Sequence, residues 1–154
     1  MSNWTHVNGV FRIDKTSLKS DMNFSKIFGE VCSDEDLINF ICDPQKCPDG
    51  FLPFGSEGAC DMSVWTNPDK CCAVAHTVSI FGDLRDHDST EKVIDWFVEV
   101  CNNLERYLIR QAVITVTNEW SGKTQTATLI NDKICIVDFD KCGTITNIQE
   151  VISR

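Results

Sequence analysis

Residues 107–130 read YLIRQAVITVTNEWSGKTQTATLI, and the reading of this stretch decides the fold class. Ile109, Val113, Ile114, Thr115, Val116 and Thr117 concentrate β-branched side chains, which are stiff at χ1 and suit a pleated surface better than a helix. Ser121-Gly122-Lys123 breaks the run with turn chemistry, and Thr124 to Ile130 resumes it, so the segment predicts a β-hairpin. Toward the C-terminus, Asn131-Asp132 marks a turn into a strand over 134–139, and residues 140–143 turn again. Residues 144–151 fit either a last strand or a short helix. The final third of the chain thus reads as a β-meander.

Working outward in the other direction, Val93, Trp96, Phe97, Val100, Cys101 and Leu104 recur every three or four residues. That is the stripe of an amphipathic helix about four turns long, with Asp88 and Glu91 placed as a capping box. Before it, Val74, His76, Val78 and Ile80 alternate with Ala73, Ala75, Thr77 and Phe81, which predicts a strand over 71–82. A strand over 60–66 precedes it, joined by the tight-turn tetrapeptide Asn67-Pro68-Asp69-Lys70. Residues 4–13 also alternate, with Val7, Gly9, Phe11 and Ile13 on one face and His6, Asn8 and Arg12 on the other. Phe24, Ile27, Phe28 and Val31 form one helical stripe over 20–31. Ser33 and Asp36 cap a second helix carrying Leu37, Ile38, Phe40 and Ile41, which Asp43-Pro44 ends. The simplest layer solution is a single α+β domain over 1–154. It has an antiparallel sheet of about five to seven strands, with two or three helices packed on one face.

The chain has 154 residues and a formal net charge of −9. Such a chain is repelled by nucleic acid and by anionic membranes, so neither is an expected partner. The charge is not spread evenly. Residues 30–49 and 83–99 together hold all of it, and both stretches surround expected helix starts, where carboxylates suit the positive end of the dipole. The N-terminus shows neither a basic leader nor an apolar core, and no window approaches the roughly 18 apolar residues of a spanning helix. A cytoplasmic protein is expected. The nine cysteines are odd in number and include no C-x-x-C pair, which disfavours both a disulfide framework and a zinc site. They read as reduced, small, apolar packing residues, and no metal or cofactor is expected.

Three motifs invite a chemical reading. VDFDKCGTIT (137–146) is similar to the nucleophile motif of haloacid-dehalogenase-type phosphatases, but Lys141 and Cys142 separate the second Asp from the Gly. Asp138 and Asp140 read better as a strand end entering a turn. Cys72 and His76 share a strand face about 13 Å apart, too far for a nucleophile and its base. The stretch 43–59 gathers three of the four prolines with Gly50, Gly55 and Gly58. Long irregular loops of this kind often carry function. Its Phe54-Gly55-Ser56-Glu57-Gly58 lacks the Lys-Ser/Thr of a P-loop and presents Ser56 and Glu57 on a turn. Arg85 and Arg110 are the cations best suited to a small anion, since guanidinium grips phosphate or carboxylate with two parallel bonds. The plainer expectation for Arg85 is an ion pair with Asp83 or Asp86. A small-ligand site would draw on Ser56, Glu57, Trp65, Asp83, Arg85 and Arg110. A protein-docking surface would draw on Asp34, Glu35, Asp36, Asp86 and Asp88.

HVNGVFRID (6–14), LPFGSEG (52–58) and TVSIFGDLRD (77–86) resemble segments of small proteins encoded by phages and prophages of Firmicutes. The resemblance implies a small accessory or host-takeover protein, acting in the cytoplasm of an infected bacterium, rather than a metabolic enzyme. It carries over no catalytic residues. Two expectations follow. One is a non-enzymatic inhibitor of a host defence protein, of the anti-CRISPR kind, working through the acidic surface. The other is a sponge that sequesters a nucleotide-derived immune signal in a pocket. Exposed edge strands and an apolar meander also lead to the expectation of a homo-oligomer.

Overall fold

The N-terminal alternation becomes β1 (Trp4–Asp14). Thr5, Val7, Gly9, Phe11 and Ile13 are buried on one face, while His6, Asn8 and Arg12 are exposed on the other. The computed structural model describes residues 2–14, 23–33, 35, 50–69, 74–86, 90–104 and 109–152. Within these, β1 is followed by α1 (Phe24–Phe28), β2 (Asp61–Thr66), β3 (Val74–Arg85) and α2 (Thr90–Asn103). β4 (Ile109–Asn118), β5 (Thr124–Ile130), β6 (Lys133–Phe139) and β7 (Ile145–Ile152) complete the order. The seven strands form one antiparallel sheet in the order β2-β3-β1-β4-β5-β6-β7. Strands 4 to 7 are the expected meander, and residues 145–152 resolve the ambiguity of the last segment as a strand. With two helices among the described residues, the fold is sheet-rich rather than a balanced mixture of helix and sheet.

β1 is inserted between β3 and β4, so it hydrogen-bonds on both sides, with Val7 opposite Gly82 on one flank and Val116 on the other. On the face shared with Phe11, Val78, Ile80 and Leu84 of β3 and Ala112, Ile114 and Val116 of β4 are all fully buried. α2 lies across β4 and β5 and buries Val93, Ile94, Trp96, Phe97, Val100 and Cys101 against them. The ring of Phe11 sits 4.9 Å from Phe28 and 5.3 Å from Phe97, so one side chain of the sheet touches both helices. Trp96 donates its indole N–H to the Phe28 carbonyl at 3.1 Å, which satisfies a buried donor and ties α1 to α2.

The helix expected over 20–31 is shorter. Asn23 caps it by accepting from the Lys26 amide at 3.1 Å, and Gly29 ends it at φ +106°, a conformation that disfavours other residues. Beyond Gly29 the backbone of Glu30 pairs with Gly50 and Leu52, so Val31 leaves the helical stripe and is exposed. Only Ser33 and Glu35 of the second expected cap lie among the described residues. Asp88 of the third lies outside them, and α2 is described from Thr90.

The same packing predicts two stability losses. Phe11→Ala removes the ring between both helices and should cost about 3–5 kcal/mol. Gly82→Ala would press a methyl against the Cys60 Cα at 2.6 Å and the Ala59 carbonyl oxygen at 2.8 Å, both backbone atoms. Its cost should be about 1–3 kcal/mol. Urea midpoints check both; an unchanged midpoint for Phe11→Ala would refute the packing described.

Candidate functional site

One end of the sheet, where β1 begins and β3 and β4 finish, collects most of the polar side chains that interact over long sequence distances. The Gly55–Gly58 turn docks there through its backbone. Ser56 N–H donates to the Arg85 carbonyl and Arg85 N–H to the Glu57 carbonyl, each at 2.9 Å. Gly58, at φ +77°, lies so close to the Asp83 carbonyl that no Cβ fits. Leu52 and Phe54 of the same stretch are buried in the core. The described part of the proline-rich loop is therefore a fitted structural turn.

That docking brings Ser56, Glu57 and Arg85 together. Arg85 Nη1 donates to Glu57 at 2.5 Å, its Nε lies 3.7 Å from Asp86, and Ser56 Oγ donates to Asp86 at 2.8 Å. Arg85 thus forms an ion pair with Asp86, one of the two acids expected, and a closer one with Glu57. Asp83, two residues before Arg85 on the same face of β3, contacts His6 instead. Arg110 binds Asp14 at 2.7 Å at the opposite end of the sheet. Arg85 lies opposite Trp4 and Ile109 opposite Ile13, so the two arginines are separated by about 30 Å at the usual rise per residue. They do not converge on one small ligand. Trp65 stands exposed on the edge strand β2, and no described contact links it to either arginine.

His6, on the open face of β1, bridges its two neighbouring strands. Its Nδ1 lies 2.6 Å from Asp83 on β3, and its Nε2 lies 2.9 Å from Glu119 just beyond β4. Ionised carboxylates only accept, so both ring nitrogens must donate, which requires the imidazolium. The hydrogen bond to Asp83, then that to Glu119, raise the His6 pKa above its ordinary 6.5. His76, on the helix side of β3, is shifted the other way by burial. It lies 3.1 Å from the Thr66 hydroxyl and edge-on to Phe24. Neither His6 nor Glu119 stood among the site candidates. The polar alternation of β1 marks His6 as outward-facing, but its partners lie 77 and 113 residues away, and only the strand register joins them.

A second polar group fastens the start of α2 to the sheet. Thr90 donates to Gln125 at 2.5 Å, Gln125 donates to Asp138 at 2.8 Å, and Lys123 pairs with Glu91. Asp140 accepts from the amides of Cys142 and Thr144, both at 2.9 Å. Asp138 lies near the end of β6 and Asp140 builds the turn that follows, the strand end entering a turn that was expected; the helix–sheet contact of Asp138 was not.

Of the expected docking acids, Glu35 is exposed and Asp86 stands at φ +55° beside Arg85; Asp34, Asp36 and Asp88 lie outside the described residues. Cys42, Cys47, Cys71 and Cys72 lie outside them too. Among the described residues no group of three or more His, Cys, Asp or Glu is arranged to hold a metal ion. Cys32, Cys60 and Cys101 are buried, and burial pushes the Cys101 thiol up to about 12. Cys142 is exposed. No helix among the described residues is long and apolar enough to cross a membrane. No protein-family model, no curated protein and no solved structure matches the chain.

Two measurements follow. In an NMR titration the His6 ring should change charge above pH 6.5 and the His76 ring below it. Because His6 is raised, its stabilising contribution is complete below 6.5 and fades as pH rises through its folded-state pKa. The stability gap between the native chain and His6→Gln should shrink over that upper window; a gap that widens would refute the clamp. Among the described cysteines, alkylation near about pH 8 should label Cys142 first and leave Cys101 unmodified until denaturant is added, as read by peptide mass spectrometry.

Proposed function

We propose that the protein is a non-enzymatic binding protein that docks through its acidic surface onto a basic surface of a host protein, as an anti-defence or host-takeover inhibitor. The observation that carries this reading is the convergence of carboxylates at one end of the sheet. Glu57, Asp83, Asp86, Glu91, Glu119, Asp138 and Asp140 come from five separate segments of chain. Of the fixed cations described at that end, Arg85 and Lys123 are each held by carboxylates, and Lys141 stands exposed beside Gly122. At the other end, Arg12, Arg110 and Lys133 face Asp14, Asp69, Asp132 and Glu150, so the described charges there nearly cancel. The charge is thus polarised along the strands. A one-signed surface of this sort accelerates encounter with an oppositely charged partner and sets orientation, more than it adds affinity.

The resemblance of residues 6–14, 52–58 and 77–86 to phage-encoded proteins supports a bacterial host protein as the partner. The interaction belongs to exposed charges, so salt screens it. The test uses two reversal sets, Asp34→Lys, Glu35→Lys, Asp36→Lys in one and Asp86→Lys, Asp88→Lys in the other. The native chain should retain a basic host protein at low salt and release it near about 0.5 M salt. At least one reversal set should weaken retention tenfold or more while leaving the melting temperature within a few degrees. If both folded reversal sets keep the full biological effect, the reading is wrong.

A further inference from the structure

The described helices cover one face of the sheet and leave the other open. On that open face Phe81 is 47% exposed, Trp65 54% and Ile148 64%. The register places Phe81 and Ile148 in one transverse row, through Asn8, Thr115, Thr126 and Val137. Phe81, Val137 and Ile148 are the apolar members of this row, with Asn8, Thr115 and Thr126 between them, and Trp65 stands in the row of Arg12. We propose that this face is the contact surface between two copies of the chain, stacked sheet against sheet about a two-fold axis that runs across the strands.

Charge placement selects both the occupant and the axis. Arg12 lies at one end of the open face of β1, exposed and in no ion pair among the described residues. At the other end of the same strand, the His6 imidazolium between Asp83 and Glu119 leaves one net negative charge. A two-fold axis across the strands reverses strand direction in the second copy. It sets each Arg12 over the carboxylate pair of its mate, and symmetry makes the contact twice. An axis along the strands would instead lay the row holding Arg12 and Lys133 on its own copy, positive on positive. The chosen axis also sends the two acidic sheet ends to opposite poles, where their mutual repulsion is least. Seven strands at about 4.8 Å spacing and seven residues at about 3.4 Å rise give roughly 800 Å² per copy. That is the size of a standard stable interface, and aligned sheet-on-sheet packing is the ordinary way for two such faces to meet.

The contact would share Asp83 and Glu119 with the host-binding surface, but it is tested on the purified chain alone. Light scattering or sedimentation at up to about 100 μM should give twice the 17.4 kDa chain mass. Phe81→Lys and Ile148→Lys should each weaken the dimer at least tenfold without lowering folded content by circular dichroism. Arg12→Glu should do the same at an exposed site where folding is not at risk. Combining it with Asp83→Lys and Glu119→Lys should restore association, because the two ends have exchanged charge. A monomer at every concentration overturns the proposal, as does a dimer indifferent to both Phe81→Lys and Arg12→Glu. Failure of the charge exchange to restore association overturns the axis.

Discussion

The structure depends on the pairing of β1 between β3 and β4 in one register. That register aims Phe11 at the helices, where its ring meets Phe28 and Phe97. A slip of one residue would turn Phe11 outward and drive Arg12 into the core, so the burial of one ring fixes the facing of the whole strand. Gly9 helps to hold it. A Cβ there would lie 3.1 Å from the Val113 carbonyl oxygen and 3.2 Å from Ile114 Cγ1, a fit that leaves little room for a larger residue. α1 has only five residues and would not persist alone; it is kept by Phe28 in the core and by the Trp96 bond to its last carbonyl.

The same parity organises the polar chemistry. With Phe11 inward, His6 and Arg12 must both face outward, one near each end of β1. His6 then meets acids from the two flanking strands, and the Gly55–Gly58 turn adds Glu57 beside Arg85. The acidic end of the molecule is thus assembled by strand register and by one backbone-docked turn, not by any contiguous motif. The carboxylates at the start of α2 join it because Lys123 and Gln125 fasten that helix end to β5.

Much of the fold was legible in the sequence because one-sided burial imposes simple periods. The outward and inward residues of β1, those of β3 from His76 onward, and the six stripe positions from Val93 in α2 to Leu104 just beyond it face as the alternation and the three-and-four spacing require. The exceptions have local causes. Val31 continues an apparent helical stripe, but Gly29 has already reversed the chain before it. Residues 145–152 have no buried face strong enough to impose a period of two, since Ile145 to Glu150 are exposed on both sides of an edge strand. The candidate site was less legible. Ser56, Glu57 and Arg85 do meet, yet Arg110 is carried to the far end by a strand order that no local pattern encodes. His6 and Glu119 were invisible for the same reason, because a cross-strand cluster exists only once the register is known.

The insertion of β1 between two later strands also shapes how the chain must fold. The meander from β4 to β7 closes through neighbouring segments and forms without long searches. β1 cannot: its links to Asp83 and Glu119 bridge 77 and 113 residues of intervening chain. The entropy of closing those loops is lost before the central ladder returns any contact energy, which places the molecule among slow, high-contact-order folders. Until β1 slots in, the apolar edges of β3 and β4 stand open side by side. The interval before the last strand is seated is when the chain is most vulnerable to pairing with a wrong partner.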